Sequence, residues 1–344
     1  MIVSYNGGMR WDLMGHDWAV QLLQKHISMQ HVRHAYLLTG PDGIGKRTLA
    51  TRFAQALNCE KADGAPTRCG ACRTCRQIEA QAYPDLRILQ PEDVSATLKV
   101  DEVRELSRWL SLAPYQGKWR MALLLDFHQA SISAANALLK TLEEPASQVI
   151  LILTAHSTDD LLPTIVSRCE QIALRPVAIK EIEAGLLELD DDAEKAQEVA
   201  RLSGGYPGRA RSYLEDKEVL VLRAKRLEEH QQLLVSTRAE RFAYADAMAR
   251  IKDPQERRSQ TLQVLQYWQL IWRDVLLLVN GADVPLQNLD QEEWIEQISL
   301  QVNSKDVMNV IQRIQQTDDA IRRNANVRLA LEALLLDFPY IRKV

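Results

Sequence analysis

The sequence has 344 residues, enough for two or three domains, since compact domains usually contain about 100 to 200 residues. Its hydrophobic content of 46%, charged content of 26% and formal net charge of -4 are those of an ordinary soluble protein without an acidic or basic tail. Contact with nucleic acid would therefore require a local basic surface.

Neither a signal peptide nor a membrane span is expected. Residues 1–11 hold no apolar core long enough for a signal peptide, and the longest apolar runs, such as 122–125 and 275–279, are too short to cross a bilayer. We therefore expect a cytoplasmic protein with no membrane partner.

The first half of the chain alternates short apolar runs typical of strands with helical patterns, which predicts an α/β fold with a parallel sheet. The candidate strands are 35–39, 86–89, 121–126, 149–154 and 171–174. Beyond Pro176 the strand-like runs stop and long amphipathic helical patterns follow. The predicted domains are a nucleotide-binding domain at 1–176, a small helical lid at 177–215 and a helical C-terminal domain at 216–344.

A glycine-rich loop with a lysine follows the first candidate strand, and a helix-prone segment follows the loop. It reads Gly-Pro-Asp-Gly-Ile-Gly-Lys-Arg-Thr at 40–48. Glycines let backbone N–H groups converge on phosphate oxygens, the helix N-terminus adds partial positive charge, and Lys46 reaches the β- and γ-phosphates. A tight turn with a surface lysine is the plainer alternative. The predicted nucleotide-binding residues are Gly40, Gly43, Gly45, Lys46, Arg47, Thr48 and Asp126.

Two positions depart from an active ATPase. The residue after Lys46 normally carries the hydroxyl that binds magnesium, but here it is Arg47, and Thr48 is turned about 100° away on the helix. The third candidate strand ends in Asp126, the expected magnesium-side carboxylate, although a helix cap is the alternative role. Phe127 stands where such ATPases usually have a glutamate that activates water. We therefore predict weak or absent ATP hydrolysis, and leave open whether the loop binds ATP with magnesium.

Four of the five cysteines lie close together, as Cys59, Cys69, Cys72 and Cys75. Zinc favours four thiolates in tetrahedral geometry, and four protein ligands leave no open position, so the spacing predicts a structural zinc site. Reduced free thiols are the alternative. Cys169 is separate and is expected to be a buried core residue.

Several motifs together resemble the AAA+ subunits of the bacterial DNA polymerase III clamp loader. They are the loop with Lys46, the segment Asn-Ala-Leu-Leu-Lys-Thr-Leu-Glu-Glu-Pro at 136–145, Ser-Arg-Cys at 167–169 and the cysteine cluster; residues 324–332 resemble the end of the family's helical collar domain. The resemblance covers nearly the whole chain. It implies an AAA+ P-loop module with a five-stranded parallel sheet and a zinc module at 59–75, followed by a helical lid and a collar.

Two subunit types of that family share these motifs. The motor subunit, gamma/tau, keeps a magnesium threonine and an acidic pair, and this chain departs from both, as the delta-prime subunit does. The resemblance therefore favours a delta-prime-like accessory subunit of a DNA polymerase holoenzyme, working with gamma/tau and delta subunits to load a sliding clamp on primer-template DNA. A divergent, active gamma/tau-like motor is the alternative. A DNA-binding protein that acts alone is disfavoured by the acidic net charge.

The resemblance assigns Arg168 as an arginine finger that reaches the γ-phosphate held by a neighbouring subunit. A surface arginine that ends a helix is the plainer alternative. The resemblance also places residues 14–18 and His34 near the adenine. It puts Gly208 at the position of the lid arginine, with Arg209 one residue beyond. The polar sensor position falls on Ala155 or His156, a further departure from the family, and a surface histidine is the plainer role of His156. Lys140 meets DNA or a neighbouring carboxylate, or is a solvated helix charge.

Overall fold

The computed structural model describes residues 11–62, 65–92, 96–282 and 284–342, without the side chain of Lys217. Contacts divide the chain into two compact units. Among the described residues, the sheet unit comprises 11–62, 65–92, 96–189 and 205–209, and the helical unit comprises 190–204, 210–282 and 284–342. The predicted boundaries at 176 and 215 stay a prediction.

The sheet unit is built on a parallel sheet, which confirms the predicted fold class. Its described strands are β1 (Ala35–Thr39), β2 (Leu86–Leu89), β3 (Arg120–Leu124), β4 (Val149–Ala155) and β5 (Glu170–Ala173). They lie in the order β2-β3-β4-β1-β5, and each neighbouring pair is parallel. The bounds of β1 and β2 are as predicted. Strand β3 ends at Leu124, before Asp126, because Asp126 adopts a left-handed conformation with φ 50° that turns the chain away.

Helices cover both faces of this sheet, as expected for buried parallel strands. Alternate residues of β1 enter different apolar clusters: Tyr36 and Leu38 join one that contains Trp11, whereas Ala35 and Leu37 join the other. The described helices of the sheet unit are α1 (Asp17–Ser28), α2 (Lys46–Asn58), α3 (Arg73–Glu79), α4 (Val100–Leu110), α5 (Ile132–Glu143), α6 (Pro163–Val166) and α7 (Ile179–Leu187), with short 3-10 turns at Phe127–Gln129 and Thr158–Asp160. The sheet is thereby held between two apolar layers.

The helical unit has an apolar core of its own. Helix α9 (Pro207–Glu215) begins within the last segment of the sheet unit and continues into this one; the other described helices are α8 (Ala193–Ser203), α10 (Lys217–Val235), α11 (Arg238–Ala249), α12 (Pro254–Val279), α13 (Glu292–Ser299), α14 (Ser304–Arg322) and α15 (Val327–Asp337), with a 3-10 turn at Leu289–Gln291. Trp268 and Trp272 of α12 are fully buried and surround His230. These tryptophans are therefore core residues. None of the helices that the structure describes is long and apolar enough to cross a membrane.

Candidate functional site

The glycine-rich loop connects β1 to α2, which begins at Lys46. Gly40 has φ 143°, and a Cβ atom there would lie 2.8 Å from the carbonyl oxygen of Leu174, so only glycine fits without displacing backbone. His16 also contacts the loop, because its Nε2 donates to the carbonyl oxygen of Ile44 at 2.7 Å. The carbonyl can only accept, so this nitrogen carries the proton, and burial lowers the pKa of the ring. The loop backbone thus lies against Leu174 at Gly40 and is bonded to His16 at Ile44.

Lys46 is buried within its own loop. Its ammonium group donates to the carbonyl oxygens of Gly40 at 2.5 Å and Pro41 at 3.2 Å, and lies 3.7 Å from Asp42 Oδ1. Burial lowers the pKa of Lys46, while the charges of Asp42 and Asp126 oppose that shift. The ammonium group is therefore held by the loop's own carbonyl oxygens and by Asp42.

A cavity of about 280 Å³ opens beside the loop. It is lined by Asp42, Gly43, Ile44, Gly45, Lys46, Arg47, Thr48, Gln90, Leu125, Asp126, Thr154 and Gly208. Every predicted nucleotide-binding residue except Gly40 is in this lining. Sequence reasoning missed Gln90 and Thr154, although both lie at the carboxyl ends of strands, the edge where ligands of parallel sheets bind.

The cavity has no hydroxyl at the position that follows Lys46. Arg47 is exposed there, and its Nη1 donates to Gln90 Oε1 at 3.2 Å. A guanidinium has no acceptor for a metal and repels cations. The loop therefore offers phosphate-binding groups without the usual magnesium ligand.

Asp126 and Phe127 point in different directions. The backbone N–H of Asp126 donates to Thr154 Oγ1 at 2.8 Å, and the carboxylate faces the cavity, where burial raises its pKa, supported by Asp42 and opposed by Lys46. Phe127 is 1% exposed and lies in the apolar cluster that contains Leu37. The position expected to hold a catalytic glutamate is thus turned into the core rather than towards the cavity.

Two histidines lie beside Asp126. The rings of His128 and His156 are 4.4 Å apart, and His156 Nε2 is 3.3 Å from Asp42 Oδ1. Burial and the neighbouring His156 lower the pKa of His128 to about 4. The sequence treats His156 as a weak sensor candidate and does not single out His128, because only the alignment of β3 beside β4 brings the two together.

The segment that begins helix α9 contacts the loop through Gly208. Its backbone N–H donates to the carbonyl oxygen of Gly43 at 2.8 Å, and a Cβ atom at Gly208 would lie 2.9 Å from that oxygen. The guanidinium of Arg209 lies 4.5 Å from the centre of the Tyr206 ring instead. Among the described residues that line the cavity, Gly208 is therefore present and Arg209 is not.

Arg168 lies outside this cavity, in the turn between α6 and β5. Its Nη2 donates to Glu143 Oε1 at 2.7 Å, its Nη1 donates to the carbonyl oxygen of Thr164 at 2.8 Å, and 35% of the side chain is exposed. Cys169 beside it packs against the apolar cluster, and burial raises its pKa to about 12. Cys169 is therefore partly buried at the edge of the core, rather than the fully buried core residue that the sequence predicts, and the guanidinium of Arg168 beside it stays accessible.

The four clustered cysteines converge as their spacing predicts. The sulfur atoms of Cys59, Cys69, Cys72 and Cys75 all lie within 4.8 Å of one another. Backbone N–H groups donate to two of them, from Cys72 to Cys69 Sγ at 3.2 Å and from Cys75 to Cys72 Sγ at 3.3 Å. Against the effect of burial, such N–H donors lower the pKa of Cys69 to about 6, whereas burial raises the pKa of Cys75. The donor set fits a thiophilic cation such as zinc.

Comparison with known proteins identifies the relatives of this chain. Residues 15–178 match the sequence model of the family described as DNA polymerase III, delta subunit. The chain is 42% identical over 180 residues to the DNA polymerase III subunit delta' of Pseudomonas aeruginosa, covering 52% of this chain and 54% of that protein. It is 28% identical over 317 residues to the subunit delta' of Bacillus subtilis, covering 92% and 94%.

A third relative is the DNA polymerase III subunit tau of Escherichia coli, 36% identical over 171 residues that cover 50% of this chain and 26% of that protein. The match thus spans about half of the Pseudomonas relative and a quarter of the tau subunit. The relatives from Pseudomonas aeruginosa and Bacillus subtilis are both delta' subunits, the subunit type that Arg47 and Phe127 favour. Residues 15–178 therefore match the model of that family, and the chain is similar to delta' subunits over most of its length.

Proposed function

We propose that this chain is the delta'-type, non-motor subunit of a DNA polymerase III clamp loader. In this role it supplies Arg168 to a nucleotide held by a neighbouring gamma/tau-type subunit and hydrolyses ATP weakly or not at all. The observation that carries the proposal is the placement of Arg168, which is accessible and lies outside the lining of its own chain's phosphate cavity. An arginine in this position is better placed to contact a nucleotide bound by another chain than one bound in its own cavity.

The chain's own cavity supports this division of roles. Arg47 replaces the hydroxyl that would bind magnesium, and Phe127 is buried in the core, so no carboxylate at that position is available to activate water. Lys46, the loop glycines and Asp126 still favour binding of a nucleotide phosphate. We therefore assign the cavity to nucleotide binding or to scaffolding, with little turnover.

The cysteine cluster is proposed to hold one structural zinc ion. Four thiolates complete a tetrahedral shell, which leaves no position for substrate. The cluster is joined to α2 through Gln55, whose Nε2 donates to the carbonyl oxygen of Cys75 at 2.8 Å and to Glu79 Oε2 at 2.9 Å. Zinc would therefore fix α3 against the helix that follows the phosphate loop.

The partners follow from the same family. We propose that the chain assembles with gamma/tau and delta subunits, and that the assembled complex, rather than this chain alone, engages the sliding clamp and primer-template DNA in the cytoplasm. The formal net charge of -4 is consistent with DNA contact made through the complex.

The test is ATP turnover by the reconstituted complex in the presence of clamp and primed DNA. Arg168→Ala should leave assembly intact and lower turnover at the site it serves by a factor on the order of 10³. Arg33→Ala is the matched control, because Arg33 is an exposed arginine of the sheet unit whose guanidinium lies 3.9 Å from Glu170. Unchanged turnover of the Arg168 variant in an intact complex would remove the proposal.

An active, gamma/tau-like motor is the second candidate, favoured by the match to the tau subunit. It is separated from the first by assaying the purified chain alone. A motor hydrolyses ATP by itself, and Lys46→Ala abolishes that turnover. An accessory subunit shows no turnover that depends on Lys46, whereas the reconstituted complex does depend on Arg168.

A further inference from the structure

A second group of metal-ligating side chains lies at the edge of the phosphate cavity. Ligand atoms of Asp126, His128 and His156 all lie within 4.8 Å of one another. None of the three belongs to the cysteine cluster. A tetrahedral ion with bonds of about 2.1 Å requires ligand atoms about 3.4 Å apart, so small side-chain rotations are sufficient to close this group around a cation.

The backbone holds these three side chains in place. Asp126 and His128 flank Phe127 in the turn after β3, and the buried Phe127 ring anchors that turn in the core. His156 follows β4 directly, and β4 is paired with β3 in the sheet. Preorganisation of this kind lowers the cost of assembling a metal site.

The donor set selects the class of cation. Two imidazoles and one carboxylate suit Zn²⁺, Co²⁺ or Fe²⁺, whereas Mg²⁺ prefers oxygen ligands and water. His128 Nδ1 is buried and has no hydrogen-bond partner among the residues that the structure describes, so this nitrogen is available to bind a cation. Asp42 Oδ1, at 3.3 Å from His156 Nε2, is placed to join the metal or to orient that imidazole.

An ordinary polar cluster is the competing explanation. His156 already pairs with Asp42, and Lys46 adds a positive charge 3.7 Å from the same carboxylate. In that explanation the two imidazole rings lie 4.4 Å apart, and the buried His128 Nδ1 has no hydrogen-bond partner within the described part of the chain. A buried acceptor without a partner costs free energy, and a cation bound by this nitrogen would remove that cost. Asp42 and Asp126 together balance the charges of Lys46 and the bound ion in part.

We propose that Asp126, His128 and His156 bind a divalent transition-metal ion at the edge of the phosphate cavity, separately from the cysteine cluster. Asp126 also lines the phosphate cavity, so the ion would add positive charge at its edge. In the same cavity, Arg47 occupies the position where an active ATPase has the hydroxyl that binds magnesium. The proposal concerns metal binding by this chain and is independent of its role in a clamp loader.

The test uses the purified full chain with one equivalent of Zn²⁺, followed by titration with Co²⁺ at micromolar concentration. We expect a second equivalent to bind and to show cobalt d–d absorption without the thiolate-to-cobalt charge-transfer band that the cysteines would produce. His128→Ala and His156→Ala should each weaken this binding at least about tenfold. His31→Ala, which removes an exposed histidine, is the matched control and should change nothing.

Two results would overturn the proposal. One is that cobalt binds only with thiolate absorption or does not bind beyond the first equivalent. The other is that the second equivalent binds equally well to both histidine variants and to the His31 control. The thermal midpoint of each variant shows whether it is folded; if His128→Ala unfolds, His156→Ala decides, because 30% of that side chain is exposed and its removal disturbs the core less.

Discussion

Arg168 and Glu143 form an ion pair with Nη2 and Oε1 2.7 Å apart. Glu143 is the last residue of α5, in the 136–145 segment, and Arg168 belongs to the separate Ser-Arg-Cys motif, so the fold joins two motifs that the sequence presents independently. Half of the Glu143 side chain is exposed (50%), and exposed ion pairs contribute only about 0–1 kcal/mol. The arginine can therefore leave this partner at little cost when a phosphate of another chain becomes available.

The first prediction follows from this low cost. Glu143→Gln should change the free energy of unfolding by about 1 kcal/mol or less and should not lower ATP turnover of the reconstituted complex, because the carboxylate competes with the phosphate for Arg168. If the whole of this 1 kcal/mol is released when Arg168 leaves Glu143, ATP turnover of the variant would rise by up to about fivefold. Glu144→Gln is the neighbouring control. A loss as large as that of Arg168→Ala would instead make Glu143 a residue that positions the arginine.

A second prediction concerns the cysteine cluster. Its buried cysteines form an apolar group with Ala62, separate from the two layers that cover the sheet. Cys75→Ser should therefore release the proposed zinc and increase hydrogen exchange in α3, while the sheet stays folded. Elemental analysis and exchange measurements check this. Cys169→Ala, the control, should keep one equivalent of zinc; a wild-type protein purified without zinc and unable to take it up would contradict the assignment.

The third prediction tests the orientation of Phe127. Phe127→Glu places the residue type of an active ATPase at this position, yet the side chain lies in the core, so the carboxylate would be buried among aliphatic groups. We expect no gain in ATP hydrolysis and a loss of about 3 kcal/mol or more in the free energy of unfolding. Phe127→Leu should cost about 1.5 kcal/mol or less. Acquired turnover in the Glu variant would show that this side chain can reach the cavity.

The parts of the site that were predicted from the sequence depend on local patterns. The glycine spacing, Lys46 and the flanking strand and helix all lie within a short stretch, so the loop and the bounds of β1 follow from it. The cysteine cluster is similar, because its four ligands come from residues 59–75. The geometry of such motifs is set by residues that are close together in the sequence, so it can be predicted from the sequence.

The remaining features depend on tertiary structure. Gln90, Asp126 and Thr154 meet because β2, β3 and β4 are neighbours in the sheet, and strand order is not written in any single segment. The direction of Phe127 depends on the left-handed backbone of Asp126 before it. His128 was missed for the same reason, since its significance appears only beside His156.

A buried ion pair at the edge strand β2 was also not predicted. Asp85 is fully buried, and its carboxylate accepts from the backbone N–H groups of Tyr115, Gln116 and Gly117 at 2.6–2.8 Å and from Arg120 Nη2 at 3.1 Å. Burial alone would raise the pKa of Asp85, but these hydrogen bonds outweigh it and hold the pKa below its usual value. The pair fixes the loop that leads into β3.

The fourth prediction is a pH-dependent loss of stability through Asp85. Because its folded-state pKa is depressed, its contribution is fully present above the unfolded pKa of about 4 and is lost as the pH falls through the folded value. Asp85→Asn should cost about 3–5 kcal/mol at pH 7, since the buried charge of Arg120 loses the carboxylate of Asp85, and should flatten the acid dependence. Urea unfolding between pH 7 and about pH 3 measures both effects.

Glu105→Gln, which breaks the exposed pair with Arg87, should change stability by about 0.5 kcal/mol at most. Equal effects of the two substitutions would contradict the role assigned to the buried pair.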